Sequence, residues 1–302
     1  MTIRVGNAPV SWAVYEADRP NPPFSMVLDQ IAQAGYAGTE LGPYGYLPTE
    51  PGALALELGG RGLALGSSFV PMPLEDPQRR AQCVETALRV ARLLHSQGVA
   101  ELILADDEDA GRKLMAGRVP AQGDGVWSER DWSEVKHTVH AVARALRDAF
   151  GMRVVLHHHA GTFVETPTEV DRFLAETDPE QVGLLLDTGH YVYGGGDPLD
   201  CVRRHGARIR YVHLKDARAD ELEHVWGAEI SMDEAWRHGI FCPLGEGVVD
   251  FPRVVEALRG CGFAGWMIVE QDVVPTPDGR LVPDPFESAR RSRAYLRERV
   301  GL

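Results

Sequence analysis

The run LHHHAGT, Leu156–Thr162, sets three histidines side by side directly after an apolar stretch, in a chain of 302 residues with eleven histidines in all. The same arrangement, an apolar run ending in groups that bind metals or move protons, recurs along the sequence. Such runs end at Glu40, at Asp106 and Asp107, at His157–His159, at Asp187 and His190, at His213 with Lys215 and Asp216, and at Glu270 with Asp272. Carboxylates mixed with imidazoles suit Mn²⁺, Co²⁺, Zn²⁺ or Fe²⁺, whereas Mg²⁺ prefers oxygen ligands and keeps several waters. Asp187, His213 and Glu270 are the candidate metal ligands, with His157 as the fourth and His159 as its rival. Alternation along a strand puts His157 and His159 on one side and His158 on the other, so the triplet is not a single three-toothed ligand. Lys215 beside a metal-bound oxygen would stabilise developing negative charge. His190, three residues beyond Asp187, is placed to touch a substrate. Glu40 is either a substrate-contacting or catalytic group or a salt-bridge partner at the mouth.

These residues converge only if the apolar runs are neighbouring strands. Strand-like runs in IRVGNAPV, GTELG, LALGSSFVP, AELILADD, MRVVLHHH, VGLLLDTGH, IRYVHLKD and WMIVEQD alternate with helical patterns. The clearest helix is DPQRRAQCVETALRVARLLHSQG, with Val84, Ala87, Leu88, Val90, Ala91 and Leu94 on one stripe and Gly98 as its stop. The strand cores are continuously apolar, as strands covered on both faces require. Eight β-then-α units without a break in composition predict a single (β/α)8 barrel domain over residues 1–302, with the charged groups at the C-terminal ends of the strands where barrel active sites form. The polar segments near 108–130 and 217–247 are long for barrel loops and are candidate lids or contacts in a homo-oligomer.

The formal charge of −13, from 31 basic and 44 acidic residues, argues against broad contact with a nucleic-acid backbone. The four cysteines are dispersed and are expected to be reduced and buried, as in a cytoplasmic protein. No apolar run approaches a membrane span, and the N-terminus shows no export signal.

LLLDTGH, YVHLKD, GEGVVDFPRVVEALRGCGFAGWMIVEQD and GYAGTELG resemble the xylose-isomerase-like barrel superfamily over nearly the whole chain. NAPVSW, HHHAGTFVETPTEVDRFLAETDP and EQD followed by PFESARRSRAYL look like its inosose dehydratases. The resemblance implies a metal held by Asp187, His213 and Glu270 with a fourth ligand from the fifth strand. In the isomerases and epimerases that fourth ligand is a Glu, and here His157 stands in its place. This departure weakens an epimerase's exchange of a proton between two carboxylates on opposite faces. It favours a dehydratase acting on a keto-polyol such as 2-keto-myo-inositol. Glu270 or a histidine would then act as base, Lys215 or the metal would steady the enolate, and His159, His190 or Glu40 would act as acid. The alternatives are a metal-dependent ketose isomerase or epimerase, a DNA-repair endonuclease, which the −13 charge disfavours, and a binding protein with a structural metal. Structural sites are often rich in thiolates, and no cysteine ends any strand-like run.

Overall fold

The computed structural model describes residues 2–302 apart from 121, 122, 124 and 229. Nine parallel strands form its main sheet: β1 (Ile3–Asn7), β2 (Gly38–Thr39), β3 (Ala64–Leu65), β4 (Phe69–Met72), β5 (Glu101–Asp106), β6 (Arg153–His157), β7 (Val182–Asp187), β8 (Ile209–Leu214) and β11 (Gly265–Val269). A two-stranded antiparallel ribbon adds β9 (Asp216–Ala217) and β10 (Phe241–Cys242). The main sheet runs β3-β2-β1-β11-β8-β7-β6-β5-β4. Its two ends, β3 and β4, belong to one continuous segment, so the sheet closes into an eight-position (β/α)8 barrel. The predicted third strand is therefore present, but in two pieces. The Gly66 N–H donates to the Thr39 carbonyl at 2.8 Å on one side, and the Ile103 N–H to the Ser68 carbonyl at 3.3 Å on the other.

Helices α1 (Phe24–Ala34), α2 (Pro51–Gly59), α3 (Arg80–Ser96), α5 (Glu129–Phe150), α6 (Pro167–Glu176), α8 (Pro198–His205), α11 (Phe251–Gly260) and α12 (Pro285–Tyr295) accompany the strands. Each helix that carries an apolar stripe buries it, as α5 does with Trp132, Val135, Val139, Val142 and Leu146. The barrel interior is a separate small core of Ala8, Ile103, Val155, Leu185, Tyr211, Trp266 and Ile268. Its large members cluster on β8 and β11, and the facing strands supply glycines. A Cβ on Gly38 would overlap the Ala64 carbonyl oxygen and the Trp266 ring, and one on Gly66 would lie 2.5 Å from the Tyr211 hydroxyl.

The segments 108–130 and 217–247 are not simple loops. The first contains α4 (Ala110–Met115), and the second contains α9 (Ala219–Ala228), α10 (Met232–Arg237) and the β9–β10 ribbon. They dock on each other: Arg118 donates to the carbonyls of Val225 at 2.6 Å and Ile230 at 3.0 Å, and Lys113 pairs with Asp233 at 2.7 Å. Residues 121, 122, 124 and 229 of these segments lie outside the described residues. The cysteines are unpaired as expected, but Cys261 is exposed while Cys83, Cys201 and Cys242 are buried. Among the described residues, no helix is long and apolar enough to cross a membrane.

The glycine-lined half of the barrel gives a direct test. Gly38→Ala should cost about 1–3 kcal/mol, because the added methyl meets backbone and an indole with no space to move. Urea denaturation of the variant beside wild type measures it.

Candidate active site

The inward-facing positions of β6, β7, β8 and β11 are apolar within the barrel and turn polar one step above it. Val155 is followed on the same side by His157, Leu185 by Asp187, Tyr211 by His213 and then Lys215, and Ile268 by Glu270 and then Asp272. Parallel register sets Asp187 beside His213, and His213 beside Ile268. One atom from each of His157, Asp187, His213 and Glu270 lies within 4.8 Å of the other three, and all four residues are buried.

Asp187 caps α7 (Thr188–Tyr193), the short helix that follows its strand. Its Oδ1 accepts the N–H groups of Gly189 and His190, both at 2.9 Å. This fixes the carboxylate and leaves Oδ2 pointing at the group, 3.5 Å from His157 Nε2 and 3.6 Å from His213 Nδ1, with no hydrogen-bond partner. His213 Nε2 is 2.9 Å from Glu40 Oε1. When Nε2 donates to that carboxylate, the Nδ1 lone pair faces inward. Nδ1 is likewise without a hydrogen-bond partner, 3.1 Å from Glu270 Oε2. Burial disfavours the charged form of His213, but Glu270 and Glu40 outweigh it and hold the ring well above the ordinary imidazole range. A cation at Nδ1 would take the place of that proton. Burial lowers His157 to about 4, so it is neutral and able to ligate. For Glu270, burial pushes the carboxyl up, yet His213 and Lys215 bring it down to about 2.

A second group stands beside the first. One atom from each of His159, His190 and Asp272 lies within 4.8 Å of the other two. His159 lies past the end of β6, and its ring packs on that of His190 with centroids 3.8 Å apart. Its Nδ1 is 2.7 Å from the Ala160 carbonyl, so Nδ1 carries the proton in the neutral ring and Nε2 is left free. Lys215 joins the two groups. Its Nζ lies 3.3 Å from Asp187, 3.2 Å from Glu270, 3.0 Å from Asp272 and 2.9 Å from His190 Nε2.

A cavity of about 600 Å³ opens above both groups. Glu40, His157, His159, His213, Lys215, Glu270 and Asp272 are on its wall, together with Tyr15, Phe69 and Trp236. His190 is not among the lining residues. It is fully buried behind them, in contact with Lys215 and with the His159 ring. His158 points away from the barrel axis, as alternation requires. It packs on Tyr191 with centroids 5.3 Å apart, and its Nε2 accepts the Asp187 N–H at 3.3 Å. Asp106, at the head of what reads as a solvated acidic run, is buried and accepts the Phe163 N–H at 3.2 Å. Asp216 accepts backbone N–H groups from Gly245, Gly247 and Val249 and so anchors a loop.

Asp272 was within reach of sequence reading as a site residue, because it stands two positions beyond Glu270 on the same side of the strand. Trp236 carried no such signal, since it arrives on α10 within a segment that reads as loop.

A sequence profile described as "Xylose isomerase-like TIM barrel" matches residues 28–299. The chain belongs to this family. It is 32% identical over 305 residues to an inosose dehydratase of Geobacillus thermodenitrificans, covering 99% of this chain and 98% of that protein. It is 30% identical over 310 residues to an inosose dehydratase of Bacillus cereus, covering 100% and 98%. Among solved structures, the 3-keto-D-glucoside 4-epimerase of E. coli superposes with a TM-score of 0.71 at 16% identity, covering 98% of this chain and 99% of that one. The D-psicose 3-epimerase of Clostridium cellulolyticum, solved with D-tagatose, gives 0.69 at 16% identity, covering 97% of each. At these identities the two structures share the fold with this chain.

The α4 segment is held to the barrel by a buried ion pair. The Arg112 guanidinium, fully enclosed, makes bonds of 2.8 and 2.9 Å to the two oxygens of Glu169. Glu165 beside it accepts the N–H groups of Gly117 at 2.6 Å and Gly161 at 2.7 Å, tying the end of the α4 segment to the turn after His159. Arg112→Met should destabilise the fold by about 3–5 kcal/mol, since it leaves buried carboxylates without their cation. Chemical denaturation followed by circular dichroism checks this.

Proposed function

We propose that the protein is a metal-dependent dehydratase that removes water from a cyclic keto-polyol such as 2-keto-myo-inositol. The observation that carries this reading is the pair of buried atoms that make no hydrogen bond, Asp187 Oδ2 and His213 Nδ1, converging with His157 and Glu270 at the floor of a cavity whose wall also holds an acid–base group. The full-length likeness to proteins named inosose dehydratase supports the substrate class. Two imidazoles and two carboxylates fit a first-row divalent ion, and Mn²⁺ or Co²⁺ is our assignment, with Zn²⁺ and Fe²⁺ compatible with the same donors. His157, Asp187, His213 and Glu270 would hold it. When bound, the ion supplies Lewis-acid polarisation of the substrate carbonyl.

The remaining chemistry falls to side chains on the wall. Glu270, held at about 2, is a poor base and a good ligand. Asp272, raised from the usual carboxylate range by burial, is the stronger base and takes the proton α to the carbonyl. The Lys215 ammonium faces the developing enolate. His159, in its imidazolium form, gives the Nε2 proton to the departing β-hydroxyl. Glu40 and His190 act through others: Glu40 orients His213, and His190 backs Lys215 and His159. We further place the protein in the cytoplasm, as one domain acting on a small polyol without nucleic-acid or membrane partners and able to form a homo-oligomer.

Protein loaded with Mn²⁺ should convert 2-keto-myo-inositol to a product lighter by one water, read by mass spectrometry. Chelation should abolish the conversion and added metal restore it; full turnover after stripping would sink the metal reading. Glu40→Gln should keep the fold by circular dichroism and weaken Mn²⁺ binding by about 10- to 100-fold in calorimetric titration, because it loosens the tautomer and aim of His213.

A further inference from the structure

Strand β5 carries the same alternation as the strands that bear the site. Ile103 lies in the barrel interior, Ala105 is in register with His157 beside it, and Asp107 is the next position on that side, just past the end of the strand. The Asp107 N–H donates to the Met72 carbonyl at 3.0 Å, which continues the ladder with β4 and fixes the backbone there. Asp106, on the other side, is the buried anchor of the Phe163 N–H. Asp107 is half-buried and stands on the cavity wall.

In the closed barrel β5 lies opposite β11. Strands β8, β7 and β6 separate them one way round, and β1, β2 and the β3–β4 segment the other. Asp107 therefore faces Glu270 and Asp272 across the mouth of one cavity. Its charged neighbours on that wall are engaged within the protein. Glu108 pairs with Lys113 at 3.1 Å, and the Arg89 guanidinium lies over the Tyr44 ring, 5.2 Å from its centroid. The Asp107 carboxylate makes no hydrogen bond or ion pair among the described residues, and burial holds it above the usual aspartate range against the opposing charge of Arg79. A partly desolvated carboxylate without a donor gains from one that a ligand brings. The donors that a polyol brings are hydroxyls.

We infer that Asp107 binds the substrate directly: its carboxylate accepts a hydrogen bond from a ring hydroxyl that the reaction does not remove, and so fixes the ring against the groups on the opposite side of the barrel mouth. No covalent bond forms or breaks at Asp107. The contact is the same before and during the chemical step, so its loss raises KM and leaves kcat little changed. The same contact discriminates against a ring ketone that lacks this hydroxyl, because the carboxylate is then left without its donor.

This inference rests on the dehydratase reading, and one experiment separates the two. Mn²⁺-loaded wild type, Asp107→Ala and Asp107→Asn are given 2-keto-myo-inositol and, in parallel, its monodeoxy analogues, each lacking one hydroxyl that the reaction retains. Water loss is followed by mass spectrometry. Asp107→Ala should keep the fold by circular dichroism and its Mn²⁺ affinity in calorimetric titration. Its KM for the parent ketone should rise by about 10- to 100-fold, the range for a hydrogen bond to a charged group. Asp107→Asn, which keeps an acceptor oxygen, should recover part of that loss. One analogue should show the same KM with wild type and with Asp107→Ala, because its missing hydroxyl and the missing carboxylate are the two halves of one contact. A KM unchanged in Asp107→Ala, or raised by the same factor for every compound, would overturn the role of Asp107 and leave the dehydratase reading standing. Loss of water from no compound with the wild-type protein would overturn that reading and the inference with it.

Discussion

One ammonium holds the centre of this molecule. Lys215 Nζ lies within 3.3 Å of Asp187, Glu270 and Asp272, three buried carboxylates that would otherwise repel one another. Desolvation alone would drive the lysine to its neutral form, yet these carboxylates outweigh it and hold its pKa well above the usual lysine range. The Phe241 ring, 5.0 Å from Nζ, adds a further favourable face. The lysine is buried because its strand is. Tyr211, His213 and Lys215 are successive inward positions, and the Thr188 hydroxyl fixes the backbone by accepting the Lys215 N–H at 2.9 Å and donating to its carbonyl at 2.7 Å.

That arrangement explains the division between two adjoining groups. On one side of Lys215 stand the candidate metal ligands, two of which are held from behind: α7 N–H groups hold Asp187, and Glu40 holds His213. On the other side stand His159, His190 and Asp272. The neutral His190 ring has one lone pair, yet the Ala160 N–H points at its Nδ1 from 3.3 Å and Lys215 at its Nε2 from 2.9 Å. Only one of these contacts is satisfied at a time.

Much of this was legible from residue order. Continuous apolar runs ending in charge predict parallel strands with a common polar rim, and the alternation of His157, His158 and His159 sorts them correctly between inside and outside. Other features were hidden for definite reasons. The need for glycine at Gly66 comes from the Tyr211 hydroxyl, 2.5 Å from where a Cβ would stand, which approaches from a strand far away in sequence. Helices α4, α9 and α10 are short and polar, and what holds them is Arg118 bonded to backbone carbonyls and Lys113 paired with Asp233, contacts that no periodicity announces. Asp106 reads as the start of an acidic surface run because its neighbours are charged, and burial singles it out only once β5 is in place.

His157 has a consequence for charge as well as for ligation. A carboxylate at that position would add another negative charge to a buried site that already holds Glu40, Asp187, Glu270 and Asp272 against Lys215 and His213. The imidazole, lowered to about 4 by burial, contributes a donor nitrogen and no charge. It also cannot serve as a carboxylate base from its side of the cavity, where Phe69 meets it edge-on with centroids 5.4 Å apart. A neutral donor at His157 thus fits a single constraint, the limited negative charge that Lys215 and His213 can balance in this buried site.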